Sequence, residues 1–438
     1  MTEPKIISGF SKLDRLQKIE WLIEQLKLDK ETLEQLNRFQ LSEQAIQQLI
    51  ADLSENQLSN FHLPFSVAPN FRVDNKVLTF PLVTEESSVV AALAKAAGYW
   101  AKRGGFHTEI IGTEKKGQVH FSWNGKPEKL SESFSELKEE LERDVAPLTQ
   151  NMEKRGGGIT NIRLKHLPEV RPNYYQLDVA FETCNAMGAN FINSCLEQMG
   201  KTLKNWAKAN GDFRDDEKEV EVIMAILSNY VPNNRVKVWV ECPVEDLDSD
   251  ADQAHALAMK FVQAVHISRH DVSRAVTHNK GIFNGIDALA IATGNDFRAI
   301  EAGGHAFAAS SGQYRGLSNA GITNGNFWFS LEMPLAVGVV GGVTSLHPLA
   351  KLAMQIIGQP SARQLMGYLA VAGLASNWSA VRALVTTGIQ KGHMKMHLSN
   401  ILNSLQVSDE QKQAAMLYFQ HREVSFSEVQ NYLKEHAK

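Results

Sequence analysis

The sequence predicts an α+β protein: a large, mainly helical body, a smaller α+β sandwich inserted into it, and a helical C-terminal segment. Three observations carry that prediction. A chain of 438 residues, 43% of them apolar and 21% charged, can bury more than one core. Helical periodicity dominates both ends. Between residues 108 and 222, short β-like runs alternate with two helical stretches, the pattern of antiparallel strands packed against helices.

Residues 11–53 place Leu and Ile at helical spacing among Lys, Glu and Gln, which predicts two or three amphipathic helices. Residues 60–80, rich in Phe, Val and Pro, read as extended, and residues 76–83 alternate like a strand. Ser87 or Ser88 then caps an alanine-rich helix over 89–102, stopped by Gly104-Gly105. The runs 107–112, 118–123, 160–166 and 174–183 predict strands, and 131–143 and 190–209 predict helices. A helix over 249–265, capped by Ser249, resumes the larger body. Three helices end the chain, over 394–405, 409–419 and 426–435, with Ser408 capping the second. The domain reading is therefore 1–107, 108–222, 223–380 and 381–438.

The formal net charge is −4 and no basic block tracks a polyanion, which argues against nucleic acid as a partner. Cys184, Cys195 and Cys242 form no CxxC pair and no metal-ligand spacing, and an odd, small number fits a reducing compartment. The N-terminus has no apolar signal core, and the longest apolar run, around 334–343, is glycine-punctuated and too short to span a bilayer. A cytoplasmic protein without a membrane partner is expected.

The chemistry shows most openly in Thr277-His278-Asn279-Lys280-Gly281 and in Ala292-Thr293-Gly294-Asn295-Asp296, separated by an apolar run over 286–292. Lys280 stands between a histidine and a glycine-rich turn, with Asp296 downstream. A lysine held near a carboxylate in a partly dry pocket stabilises an oxygen anion as it forms. The competing reading is a solvated loop lysine and a helix-capping aspartate. Glu86, at a strand-to-helix junction, is either functional or a cap. Asn185-Ala186-Met187-Gly188-Ala189-Asn190 joins a strand to a helix, where small residues let backbone N–H groups approach a phosphate, or simply pack a tight turn.

No GxGxxG fingerprint and no Walker A lysine are present, and Gly156-Gly157-Gly158 alone marks a flexible turn. His393 and His397 have i, i+4 spacing, but no Glu lies between them and no third ligand is evident, so no metal site is expected. A histidine after Gly392 can instead act as a general acid delivered by a moving segment, against a default of surface histidine.

These blocks, with Pro81-Leu82-Val83-Thr84-Glu85-Glu86-Ser87-Ser88-Val89-Val90-Ala91 and Gly392-His393-Met394, occur in the order found in 3-hydroxy-3-methylglutaryl-CoA (HMG-CoA) reductases. The chain resembles the soluble, bacterial class II branch from about residue 8 to its end. Ser54-Glu55-Asn56-Gln57-Leu58 and His62-Leu63-Pro64-Phe65 resemble, in diverged form, that family's substrate-side segment. The resemblance implies a large α/β domain for the acyl-CoA and an inserted small, ferredoxin-like, non-Rossmann domain for the dinucleotide. It further implies a helical C-terminal flap with the catalytic histidine, and active sites at the interface of a homodimer or an assembly of dimers. The implied reaction converts HMG-CoA and two NAD(P)H into mevalonate, CoA and two NAD(P)+.

Carried onto this chain, the resemblance makes Lys280 the oxyanion stabiliser, Asp296 the group that holds it, Glu86 the proton donor to an aldehyde oxygen, and His393 the acid for the departing thiolate. Glu85 is expected to face solvent. Arg274 would take the HMG carboxylate, a task suited to a bidentate guanidinium, and Ser88 and Asn377 match positions that contact HMG. Asn185, Ala186, Met187, Gly188, Ala189 and Asn190 would hold the dinucleotide, with Asn185 where the family usually has Asp. Lys154-Arg155, beside the glycine run, can meet a 2′-phosphate and tilts an otherwise open choice between NADH and NADPH toward NADPH. A CoA-binding relative without turnover, regulatory or scaffolding, is the rival; its mark would be loss of Glu86, Lys280, Asp296 or His393, and all four are present.

Overall fold

The computed structural model describes residues 6–386, 398 and 401–436, apart from 30, 406, 420, 421 and 423. Three short helices open the chain: α1 (Arg15–Leu26), α2 (Thr32–Arg38) and α3 (Gln44–Ala51). A capping box between Asp14 and Gln17 starts α1. Arg15 Nε donates to the Leu58 carbonyl at 2.7 Å, tying this arm to the segment that follows it. β1 (Phe65–Val73) and β2 (Lys76–Val83) form an antiparallel hairpin, and α4 (Ser87–Ala101) packs on β1. β3 (His107–Ile110) comes next.

The chain then builds a separate unit from β4 (Lys115–Trp123), α5 (Pro127–Glu132), α6 (Phe134–Glu153), β5 (Gly158–His166), β6 (Tyr174–Glu182), α7 (Ala189–Ala209) and β7 (Val220–Ser228). Its antiparallel sheet has the order β5-β6-β4-β7, the arrangement of a split β-α-β unit. Val119, Phe121, Leu177, Leu196 and Trp206 belong to a core that this unit does not share with the rest.

Beyond it lie β8 (Arg235–Pro243), α8 (Ala251–Ser268), α9 (Val272–Ala292), α10 (Phe297–Ala308), β9 (Ser318–Thr323), β10 (Asn326–Pro334), α11 (Gly342–Leu346), α12 (Pro348–Ile356) and α13 (Ala362–Val385). A second antiparallel sheet runs β3-β8-β10-β9. Val236, Val238 and Val240 of β8 point into the main core, while Lys237 and Trp239 alternate outward. The core centres on α13, apolar nearly all round, whose Trp378 ring lies 4.7 Å from Phe261 and 4.9 Å from Trp100. The last helices, α14 (Asp409–Tyr418) and α15 (Phe426–Glu435), close a third, small core around Leu402, Ala415 and Val429. Among the described residues no helix is long and apolar enough to cross a membrane.

Several expectations shift. The inserted sheet runs from Lys115 to Ser228, against expected edges at 108 and 222, because His107–Ile110 pairs with β8 rather than with the inserted strands. Asp250, not Ser249, caps α8, its carboxylate reaching Gln253 N at 3.0 Å. Neither Ser87 nor Ser88 caps α4: Ser87 is the helix's first residue, and the Ser88 hydroxyl turns back to Glu86. Ser408 does cap α14, in a capping box with Gln411. The largest correction concerns Thr277 to Gly281, which lies in the middle of α9 and not in a turn. His393, His397 and half of the helix expected over 394–405 lie outside the described residues.

Candidate functional site

Glu86 and Lys280 meet where the strand-to-helix junction after β2 faces α9. Lys280 Nζ is 4.0 Å from Glu86 Oε2. Ser88 donates its hydroxyl proton to Glu86 Oε1 in a short hydrogen bond. Glu86 occupies the N-cap position of α4, yet its side chain caps nothing and is free to turn toward Lys280. Glu85 is exposed and Glu86 half-buried. The Lys280 side chain is 66% exposed. It stands in the same row of α9 as Val272 and Val276, apolar residues that are 45% and 53% exposed.

Beneath Lys280 lies a buried polar lock. Ser318 Oγ donates to Asn377 Oδ1 at 3.0 Å, which leaves its oxygen to accept Nε2–H from His278 at 2.5 Å. Asn377 Nδ2 in turn donates to the His278 carbonyl at 3.2 Å. Both ends of the Asn377 amide are thus used inside the protein, at 1% exposure. The residue thereby ties α13 to α9. Asn279 adds a second tie, accepting from Leu317 N at 2.9 Å and donating to the Arg315 carbonyl. His278, Asn279 and Ser318 carried no functional expectation, since a buried polar lock leaves no pattern in local sequence.

Burial, and then the Arg274 charge one turn away, pushes the His278 imidazole down to about 3. The folded protein keeps it neutral while the unfolded chain takes a proton near pH 6.5. Stability should therefore fall as pH drops from about 6.5 toward about 3, with this group adding a slope of up to about 1.4 kcal/mol per pH unit. Denaturant unfolding at stepped pH measures it; an unchanged slope in a His278→Asn variant would contradict the assignment.

Asp296 does not reach Lys280 within the chain. From Lys280 to Ala290 the helix rises about 15 Å, and Asn295 N then bonds the Ala290 carbonyl, which fixes Asp296 near the far end of α9. There it caps α10, accepting from Arg298 N at 3.1 Å and Ala299 N at 3.2 Å, and pairs with the Arg298 guanidinium at 3.2 Å. Arg274 is half-buried near the start of α9, about 120° around the helix from Lys280. Two turns beyond Lys280 on its own face, Asp287 meets Glu301 of α10, and burial followed by the Glu301 charge raises its carboxyl.

The turn Asn185 to Met187 sits at the seam between the inserted unit and the main body. Gly188 has φ 88°, and a Cβ on it would stand 2.5 Å from Thr183 Cγ2, so only glycine fits before α7. No side chain caps α7, which leaves its first N–H groups open. Below the turn, the nearly buried Lys115 donates to Thr183 Oγ1 at 2.5 Å and to the Ala186 carbonyl at 2.7 Å. Burial lowers its ammonium to about 8, against the opposing charges of Glu182 and Cys184. Asn185 Oδ1 accepts from Ala362 N at 3.0 Å, a neutral cap on the start of α13. The Arg155 carbonyl accepts from Cys184 Sγ at 3.2 Å, which brings Lys154-Arg155 beside the turn. Among the described residues no cluster of His, Cys, Asp and Glu could hold a metal.

The chain is also similar to proteins already known. The family described as hydroxymethylglutaryl-coenzyme A reductase matches residues 14–398. A relative from Borreliella burgdorferi, described as "Probable 3-hydroxy-3-methylglutaryl-coenzyme A reductase", is 34% identical over 380 residues, covering 85% of this chain and 84% of its own. The 3-hydroxy-3-methylglutaryl-coenzyme A reductase of Archaeoglobus fulgidus is 35% identical over 357 residues, covering 80% and 77%. Among solved structures, the 3-hydroxy-3-methylglutaryl-coenzyme A reductase of Streptococcus pneumoniae superposes with a TM-score of 0.72 at 34% identity, covering 87% of this chain and 100% of its own. A second structure of that class II enzyme, bound to NADPH in open conformations, gives 0.70 over the same shares. The chain belongs to the hydroxymethylglutaryl-coenzyme A reductase family, in its bacterial class II branch.

Proposed function

We infer that the protein reduces HMG-CoA to mevalonate and free CoA at the expense of two reduced nicotinamide dinucleotides. The observation that carries this reading is the meeting of Glu86, Ser88 and Lys280 in a chain that matches the reductase family over residues 14–398. When bound, the dinucleotide supplies a hydride in each of two steps. Lys280 faces the thioester oxygen and stabilises the negative charge that develops there, first on the thioester and then on the aldehyde. Glu86, oriented by the Ser88 hydroxyl, gives its proton to the aldehyde oxygen in the second step. His393, on the C-terminal segment, protonates the departing thiolate; Arg274 takes the HMG carboxylate, and Ser88 contacts the same acyl group.

The inserted unit from Lys115 to Ser228 acts as the small, ferredoxin-like dinucleotide domain, the residues on either side of it up to 380 as the acyl-CoA domain, and 381–438 as the flap. In this reading the uncapped N–H groups at the start of α7, with the turn from Asn185 to Asn190, bind the pyrophosphate. NADPH is favoured, because Lys154-Arg155 lies beside that turn and a class II relative binds NADPH. The site is completed by a second copy of the chain. Asp296 is too far along α9 to hold Lys280 of its own protomer, and exposed Val272 and Val276 lead up to Lys280 on a face suited to burial against a partner.

The test is the fall of reduced-nicotinamide absorbance on adding HMG-CoA, and its rise with mevalonate, CoA and the oxidised cofactor. Turnover with NADPH exceeding that with NADH is expected. No HMG-CoA-dependent oxidation with either cofactor would defeat the reading.

A further inference from the structure

One motif residue has no part in the chemistry above. Asn295 stands between Gly294, at φ 71°, and the capping Asp296. Its Oδ1 accepts from Gly338 N at 2.9 Å, and its Nδ2 donates to Thr293 Oγ1 at 3.2 Å. The strip that begins at Gly338 runs directly on to the dinucleotide turn. Val339 N donates to the Asn185 carbonyl at 2.9 Å, and Val340 forms a parallel bridge with Ala186. The contact at Gly338 is so close that a Cβ there would stand 2.4 Å from Met187 N. Farther along, the buried Thr344 returns to the same block, donating its hydroxyl to the Thr293 carbonyl at 2.9 Å. A chain of direct hydrogen bonds therefore links the residue next to Asp296 to the turn assigned to the cofactor. Lys115 and Ala362 hold that turn from its other sides.

We propose that Asn295 is a positioning residue that sets the register of the dinucleotide turn against the block carrying Asp296. This inference rests on the dinucleotide reading of the turn. Hydride transfer demands reacting atoms about 3–3.5 Å apart, and a misplacement of about 1 Å can lower the rate on the order of 100-fold. The two groups come from units with separate cores, so something must fix their spacing. The strip from Gly338 to Thr344 is bonded to both, and Asn295 is its side-chain anchor. A purely structural cap on the end of α9 would affect stability without preferring one substrate.

The experiment compares Asn295→Ala, Asn295→Asp and Thr344→Val with the wild-type chain in HMG-CoA-dependent NADPH oxidation, with thermal unfolding measured alongside. Asn295→Ala is expected to raise KM for NADPH about tenfold while leaving KM for HMG-CoA within about twofold. Asn295→Asp keeps the acceptor for Gly338 N and should recover most of that loss. Thr344→Val, which removes the second anchor, should shift KM in the same selective direction and carries the test if Asn295→Ala does not fold. Equal changes in both KM values, or no change in either, with wild-type turnover intact, would overturn the positioning role alone. A wild-type chain that oxidises no NADPH with HMG-CoA would instead overturn the functional reading, and this inference with it.

Discussion

Lys280→Ala should lower kcat by about 1,000-fold while leaving the fold intact. Loss of one charged donor to a developing oxyanion commonly lowers turnover by about 100- to 1,000-fold, and Lys280 is placed to serve two successive carbonyls. Its side chain is 66% exposed and among the described residues it pairs only with Glu86, at 4.0 Å, so unfolding should shift by no more than about 0.5 kcal/mol. Activity and thermal unfolding of the same preparation check both halves; near-normal turnover would end the assignment. The separation of Lys280 from Asp296 along α9 sharpens the experiment. If the partner's Asp296 completes the site, Lys280→Ala and Asp296→Ala chains are each inactive alone. Heterodimers between them hold one intact site, and a random mixture should regain about a quarter of wild-type activity. No recovery on mixing, in a preparation shown to exchange subunits, would argue against a shared site.

Gly285→Ala should destabilise the protein, although alanine is the better helix former by about 1 kcal/mol in a helix interior. A Cβ at Gly285 would stand 2.3 Å from the Ala372 carbonyl oxygen, 2.8 Å from its carbon and 3.0 Å from Ser376 Cβ. These are atoms of α13, most of them backbone, in the middle of the main core, and they cannot swing aside. The two helices must separate, and forcing extra volume into a packed core costs about 1–3 kcal/mol or more. Overpacking should outweigh propensity. The same displacement moves α9 against Asn377, which grips it at the His278 carbonyl, so turnover should fall as well. Thermal melting and kcat measure the two effects; a variant that melts higher than wild type would show that the crossing is looser than its geometry.

Legibility in the sequence followed how local each cause was. The strand at 76–83 came out with the bounds of β2, and the helix over 190–209 differed from α7 by one residue at its start. The helices expected over 409–419 and 426–435 match α14 and α15 to within one residue, the first marked by its Ser408 cap. α9 does not show in the sequence because burial on most sides removes the polar–apolar alternation that marks a surface helix, and because Gly281 suggests a turn. That glycine faces another helix: a Cβ on Gly281 would meet Asn377 and Ala380. No expectation covered β8, although Val236, Val238 and Val240 alternate with Lys237 and Trp239. At the site, Glu86 and Lys280 were found as a set only through the order of motifs. Their 4.0 Å approach, the lock of His278, Ser318 and Asn377, and the Lys115 anchor join residues distant in sequence, which local pattern does not report.

The way the inserted unit is attached has a consequence for how the chain folds. β3 and β8 are hydrogen-bonded neighbours, with Ile110 opposite Val236, and the first and last strands of the insert are neighbours as well, with Lys116 opposite Ser228. The insert is thus the loop of a hairpin, and its own folding brings the two ends of that loop together. A disordered loop of this length would slow and weaken the pairing of β3 with β8, because closure entropy grows with loop length. Once the insert has folded, the main body sees something close to a short connection, and its effective contact order falls. The small unit should therefore fold first and act as a template for the sheet of the larger one.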